Sequence, residues 1–110
     1  MMKVYINLTP FKDIRGNIFV GNAQGEYARE VLRIDILDKK LKRDGDFELE
    51  VQFPDDTVSV TSGFLEGLLG PTFKNVGYDA FYARIKFYSK EYKITKDVLD
   101  FIDLMKLTRK

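Results

Sequence analysis

From Phe47 to Phe53 the chain alternates without a break: Phe47, Leu49, Val51 and Phe53 fall on one side, Glu48, Glu50 and Gln52 on the other. Successive side chains of a strand point to opposite faces, so this segment reads as a strand with one apolar and one wet face. Strands of a parallel sheet covered on both faces are apolar on both sides. The alternation therefore asks for a sheet that helices cover on one side only.

The flanking segments fit that demand. Lys3 to Leu8 alternates in the same way, with Val4, Ile6 and Leu8 on the apolar side, until Pro10 ends it. Turn residues Asp13 to Asn17 precede a short second strand, Ile18-Phe19-Val20, which can form a hairpin with the first. From Gln24 to about Arg43 the spacing is helical: Tyr27, Val31, Ile34, Leu37 and Leu41 form one stripe, widened by Ala28 and Leu32. One continuous helix is expected, with a break near Asp35 as the alternative. Asp44-Gly45-Asp46 stops it.

After Pro54-Asp55-Asp56, a β-branched run at Val58 to Val60 leads into Thr61-Ser62-Gly63 and then Phe64, Leu65, Leu68 and Leu69 at helical spacing. Thr61 and Ser62 suit a helix N-cap, because a hydroxyl oxygen accepts from the free N–H groups of the first turn. The helix is expected to reach Gly70-Pro71, or Asn75 if it absorbs the proline. Phe81, Ala83, Ile85 and Phe87 alternate with Tyr82, Arg84, Lys86 and Tyr88, which reads as another strand. Thr95 opens a last helix with Val98, Phe101, Ile102 and Met105 on its apolar face, leaving Leu99 and Leu104 off that stripe. The order is β, β, α, β, α, β, α. The expected fold is a single α/β domain over residues 1–110, a small mixed, mostly parallel sheet covered by helices on one side.

Absences narrow the chemistry. The 110 residues contain no cysteine and no histidine. Thiolate nucleophiles, disulfides, Cys-ligated zinc and the commonest general base are excluded. Eighteen basic residues against seventeen acidic ones leave a net charge of +1, which gives no global pull towards nucleic acid or anionic membrane. No apolar run is long enough to span a bilayer, and no apolar signal segment follows Met1-Met2-Lys3. A cytoplasmic, non-enzymatic binding module without cofactor or metal is the expectation.

The element order and two short motifs resemble the STAS-like domain family, bacterial domains of unknown function related to the STAS domains of anti-anti-sigma factors. Gly25-Glu26-Tyr27-Ala28-Arg29 is similar to that family's G-x-x-A-R at the start of its first helix. Phe53 to Val58, followed by Thr61 to Gly70, is similar to its strand, turn and serine-bearing helix start. In phosphorylatable STAS proteins that start is close to D-S-S-G. Aligned on S-S-G, Ser62 takes the phosphoacceptor position, Thr61 precedes it and Val60 stands where the acid would be. Aligned on the serine that precedes Phe in the STAS-like family, Gly63 takes that place and the phosphoacceptor is missing.

The resemblance implies a regulatory protein-interaction module. Its partner would be a GHKL-type ATPase or serine kinase that docks at the helix start and loses its hold when the serine is phosphorylated. The implied contacts are Thr61, Gly63 and Glu66, with Asn22 and Gln24 at the same edge and Ser62 as phosphoacceptor. The plain reading is that Ser62 is an ordinary cap residue contributing about 1 kcal/mol.

Other constellations are weaker. Tyr82, Arg84, Lys86 and Tyr88, with Lys90 beyond, interleave aromatic and basic residues as a single-stranded nucleic-acid surface does. Pairing with Glu48 and Glu50 on a neighbouring strand explains them equally well, and the near-zero net charge favours it. Asp44, Asp46, Asp55 and Asp56 are turn residues without the spacing of a metal site. Gly21 to Gly25 lacks both phosphate-loop patterns. Lys39 to Arg43 reads as a solvated helix end.

Overall fold

The computed structural model describes residues 2–14, 16, 18–89 and 94–108. In chain order its elements are β1 (Met2–Asn7), β2 (Ile18–Phe19), α1 (Asn22–Leu32), α2 (Ile34–Arg43), β3 (Phe47–Gln52), β4 (Ser59–Val60), α3 (Ser62–Val76), α4 (Tyr78–Arg84), β5 (Ile85–Tyr88) and α5 (Thr95–Thr108). The fold is α/β. A three-stranded parallel sheet has the order β1-β3-β5, and β2 and β4 form a second, two-stranded parallel ribbon.

The main sheet is one-sided, as the alternation at Phe47 requires. Ile6, Phe47, Leu49, Val51 and Ile85 are buried in a single core cluster with the helices. The opposite face carries Lys3, Tyr5, Glu48, Glu50, Lys86 and Tyr88, and both tyrosines are more than half exposed. The Lys3 amine lies 4.0 Å from Glu48 and from Glu50, and Glu50 sits opposite Lys86 in register. The charged face is thus cross-strand pairing within one sheet.

Three expectations need correcting. The hairpin does not form: Pro10 lies in a 3-10 turn, Thr9–Phe11, that buries Phe11, and β1 pairs in parallel with β3 while β2 pairs with β4. The long helix breaks at Arg33, a left-handed residue (φ 55°, ψ 47°) whose N–H bonds back to the carbonyls of Arg29 and Glu30. The predicted stripe breaks with it. Tyr27 and Val31 are exposed, whereas α1 buries Gly25 and Ala28, and α2 buries Ile34, Asp38 and Leu41.

The third helix runs through Pro71 to Val76, the longer of the two expected ends. The last correction concerns Phe81 to Tyr88. The segment is helical to Arg84 and becomes a strand only at Ile85. As a helical residue, Phe81 packs its ring 5.3 Å from that of Phe73 and 5.8 Å from that of Phe101, which outweighs a strand alternation. The predicted last helix is present, with Phe101, Ile102 and Met105 buried and Leu99 exposed. Lys90, Arg109 and Lys110 lie outside the described residues. No helix among the described residues is long and apolar enough to cross a membrane.

Candidate functional site

The β2–β4 ribbon sets two helix starts side by side. Phe19 and Val60 are paired in register, and each strand runs within three residues into a helix, β2 into α1 and β4 into α3. Thr61 joins the two turns. Its N–H donates to the Phe19 carbonyl at 3.0 Å, and its Oγ1 accepts from Phe64 N at 3.2 Å, the N-cap bond expected of it. The same oxygen accepts from Gly21 N at 3.4 Å, next to the first residue of α1. Capping belongs to Thr61 alone. The Ser62 hydroxyl is partly exposed at the first helical position and has no hydrogen-bond partner among the described residues.

The neighbours of Ser62 come from both helices. A Cβ on Gly63 would stand 3.7 Å from Asn22 N, so the two starts nearly touch. Asn22 Nδ2 donates to Glu66 Oε1 at 3.0 Å, tying the first turn of α1 to that of α3. The sequence-predicted residues Thr61, Ser62, Gly63, Glu66 and Asn22 are therefore brought together. Gln24 is not among them: its side-chain amide donates to the Phe11 carbonyl at 3.3 Å and holds the 3-10 turn.

Behind the helix starts, α1 and α3 pack backbone to backbone. A Cβ on Gly25 would fall 2.1 Å from the Phe64 carbonyl oxygen, and one on Gly67 would fall 2.1 Å from that of Asn22. Only glycine permits this approach. Alongside runs an open cleft of about 950 Å³ with Asn22, Glu26, Arg29, Glu66 and Lys74 on its walls.

The Gly-x-x-Ala-Arg motif has a structural explanation in this seam. Gly25 makes the close approach, Ala28 is fully buried, and Arg29 enters a network that joins three helices. The Arg29 guanidinium donates to the Leu68 carbonyl at 3.0 Å, to Thr72 Oγ1 at 2.9 Å and to the Asp38 carboxylate. Thr72 Oγ1 also donates to Asp38, and Asn75 donates to the Asp38 carbonyl at 3.1 Å. Sequence reasoning missed Asp38 and Thr72. The signal was there: Asp38 lies on the same helix face as Ile34 and Leu41, and Thr72 one turn after Leu68, polar residues at buried positions.

The strand face expected for nucleic acid is divided between two elements. Tyr82 and Arg84 belong to α4, Lys86 and Tyr88 to β5. Arg84 Nε donates to the Phe47 carbonyl at 2.9 Å, and its guanidinium also bonds the Asp44 carbonyl, so it anchors the entry to β3. The Tyr82 ring sits 6.0 Å from that of Tyr78. The acidic turn Asp44 to Asp46 is closed by its own bond, Asp46 N to Asp44 Oδ1 at 3.0 Å. Among the described residues, no group of three or more acidic side chains is placed to hold a metal ion.

The chain matches no family model, no curated protein and no solved structure in the comparisons made.

Proposed function

We propose that this chain is a regulatory protein-interaction module whose working surface is the paired start of α1 and α3, with Ser62 as its switch. One observation carries the reading: the Ser62 hydroxyl is partly exposed and unbonded among the described residues, while its neighbour Thr61 performs the capping. A serine needed for capping is engaged. This one is left unengaged.

The surroundings supply a consequence for modification. A phosphate at Ser62 adds about −1.5 to −2 charges at pH 7. The free N–H groups and dipole of α3 stabilise an anion there. One turn on, Glu66 is held by Asn22 at 3.0 Å, so the added charge opposes a carboxylate that belongs to the contact surface. Binding by the unmodified protein and release after phosphorylation follow from that added charge and bulk. The partner class, a GHKL-type ATPase or serine kinase in the cytoplasm, rests on the resemblance to STAS-like domains. The protein itself acts by binding, without catalysis.

The test is a capture experiment from the native cell with wild type, Ser62→Asp and Ser62→Ala. An ATPase-type partner held by wild type and Ser62→Ala but lost with Ser62→Asp supports the reading. A partner held equally by all three removes Ser62 from the switch.

A further inference from the structure

β1 is an edge strand: the sheet order leaves one of its two sides unpaired by any strand among the described residues. Which backbone groups face that side is fixed by one bond. Leu8 N donates to the Gln52 carbonyl at 2.9 Å, in line with the register that pairs β1 to β3. In a parallel pair alternate residues bond to the same neighbour. Val4, Ile6 and Leu8 therefore turn their N–H and C=O groups to β3, and Lys3, Tyr5 and Asn7 turn theirs outward.

Edge strands are ordinarily guarded by proline, a bulge or a projecting charge. β1 has none of these guards. Its sequence from Met2 to Asn7 contains no proline, and its register with β3 is unbroken from Met2↔Phe47 to Asn7↔Gln52. Its one charge, Lys3, reaches across the sheet to Glu48 and Glu50 at 4.0 Å, away from the edge. The core-side residue Val4 is only half-buried, and Tyr5 is 57% exposed.

We infer that β1 pairs with β1 of a second copy of this chain, antiparallel and centred on Tyr5. That register engages all three outward-facing residues: Tyr5 opposite Tyr5, and Lys3 opposite Asn7 at either end. It also sets Val4 opposite Ile6 on the core side. A register centred on Lys3 places two ammonium groups opposite one another, which is unfavourable; one centred on Asn7 leaves Lys3 unpaired. The charge pattern thus selects a self-complementary alignment, the requirement of a two-fold interface. The two sheets join into one of six strands, and the paired tyrosines cover each other. Strand pairing alone buries less than a standard interface, so the dimer is concentration-dependent.

The experiment is sedimentation equilibrium on the full chain. The average mass is expected to rise from the 12.8 kDa of one chain towards twice that value as concentration increases. Tyr5→Pro removes an outward N–H and the paired ring, at a position where an edge strand tolerates proline, and is expected to stay at single-chain mass with an unchanged circular dichroism spectrum. Because the chain has no cysteine, Tyr5→Cys provides a second readout that does not depend on the proline variant folding. Under mild oxidation it is expected to form a disulfide-linked dimer faster than Tyr88→Cys, which is similarly exposed on β5. A wild type that remains at single-chain mass up to about 1 mM, or equal cross-linking of the two cysteine variants, overturns the inference.

Discussion

Gly25 of α1 and Gly67 of α3 meet with no side chain between the helices; a Cβ on either would lie 2.1 Å from a carbonyl oxygen of the other helix. The same seam holds Asn22 against Glu66 at one end and carries the Arg29 network at the other.

Gly25→Ala and Gly67→Ala are each expected to destabilise the fold by about 2–3 kcal/mol or more, because the added methyl meets backbone that cannot turn aside. Gly45→Ala, where a Cβ has open space, is expected to change stability by less than about 0.5 kcal/mol. Urea unfolding of the three variants checks this. A Gly67→Ala protein as stable as wild type would mean the helices stand further apart.

Asp38→Ala leaves the Arg29 guanidinium and Thr72 Oγ1 without their shared acceptor inside the protein. A loss of about 3–5 kcal/mol is expected, the usual result of orphaning one member of a buried ion pair. Removing both charges with Arg29→Met and Asp38→Leu should cost clearly less than the sum of the two single changes. A double-mutant cycle in urea measures the coupling; strict additivity would show that the pair is not coupled.

Arg33 holds a left-handed conformation between α1 and α2, and its Nε lies 3.5 Å from Asp35 in an exposed pair of little worth. Arg33→Gly is expected to be neutral or stabilising by up to about 1 kcal/mol, since glycine enters that region without a Cβ penalty. Arg33→Val should be destabilising. Thermal unfolding ranks the three, and the order Gly, Arg, Val is the expected one.

The two hydroxyls at the start of α3 should separate. Thr61→Ala removes the cap to Phe64 N and the contact to Gly21 N, for about 1–2 kcal/mol. Ser62→Ala should stay within about 0.5 kcal/mol of wild type. Ser62→Asp gains a few tenths from the helix dipole. Equal losses for Thr61→Ala and Ser62→Ala would show that Ser62 is structural and would remove the ground for a switch.

The parts of the fold legible in the sequence were those where burial and period agree. Phe47 to Phe53 reads as a one-sided strand because each apolar residue goes to the core and each polar one to the uncovered face of the sheet. Thr61 reads as a cap because the bond is local. What was hidden depends on contacts between distant segments. Tyr27 and Val31 look like a core stripe, but α1 buries its small residues because Gly67 lets it come closer than any large side chain allows. Phe81, Ala83, Ile85 and Phe87 satisfy a strand pattern, yet Phe73 and Phe101 draw Phe81 into a helix. Of the candidate site, Asn22 and Glu66 were nameable from position, whereas their mutual bond and the diversion of Gln24 to Phe11 were decided by the pairing of β2 with β4.

The glycine seam also limits how a signal can move through this molecule. Side-chain layers between helices can re-interdigitate, which lets one helix slide past another by small steps. Gly25 and Gly67 leave no such layer, and a one-residue slip would drive a Cβ into a carbonyl. The two helices are keyed together like a bolt in its slot, so a shift of either along the seam is opposed by the backbone of the other.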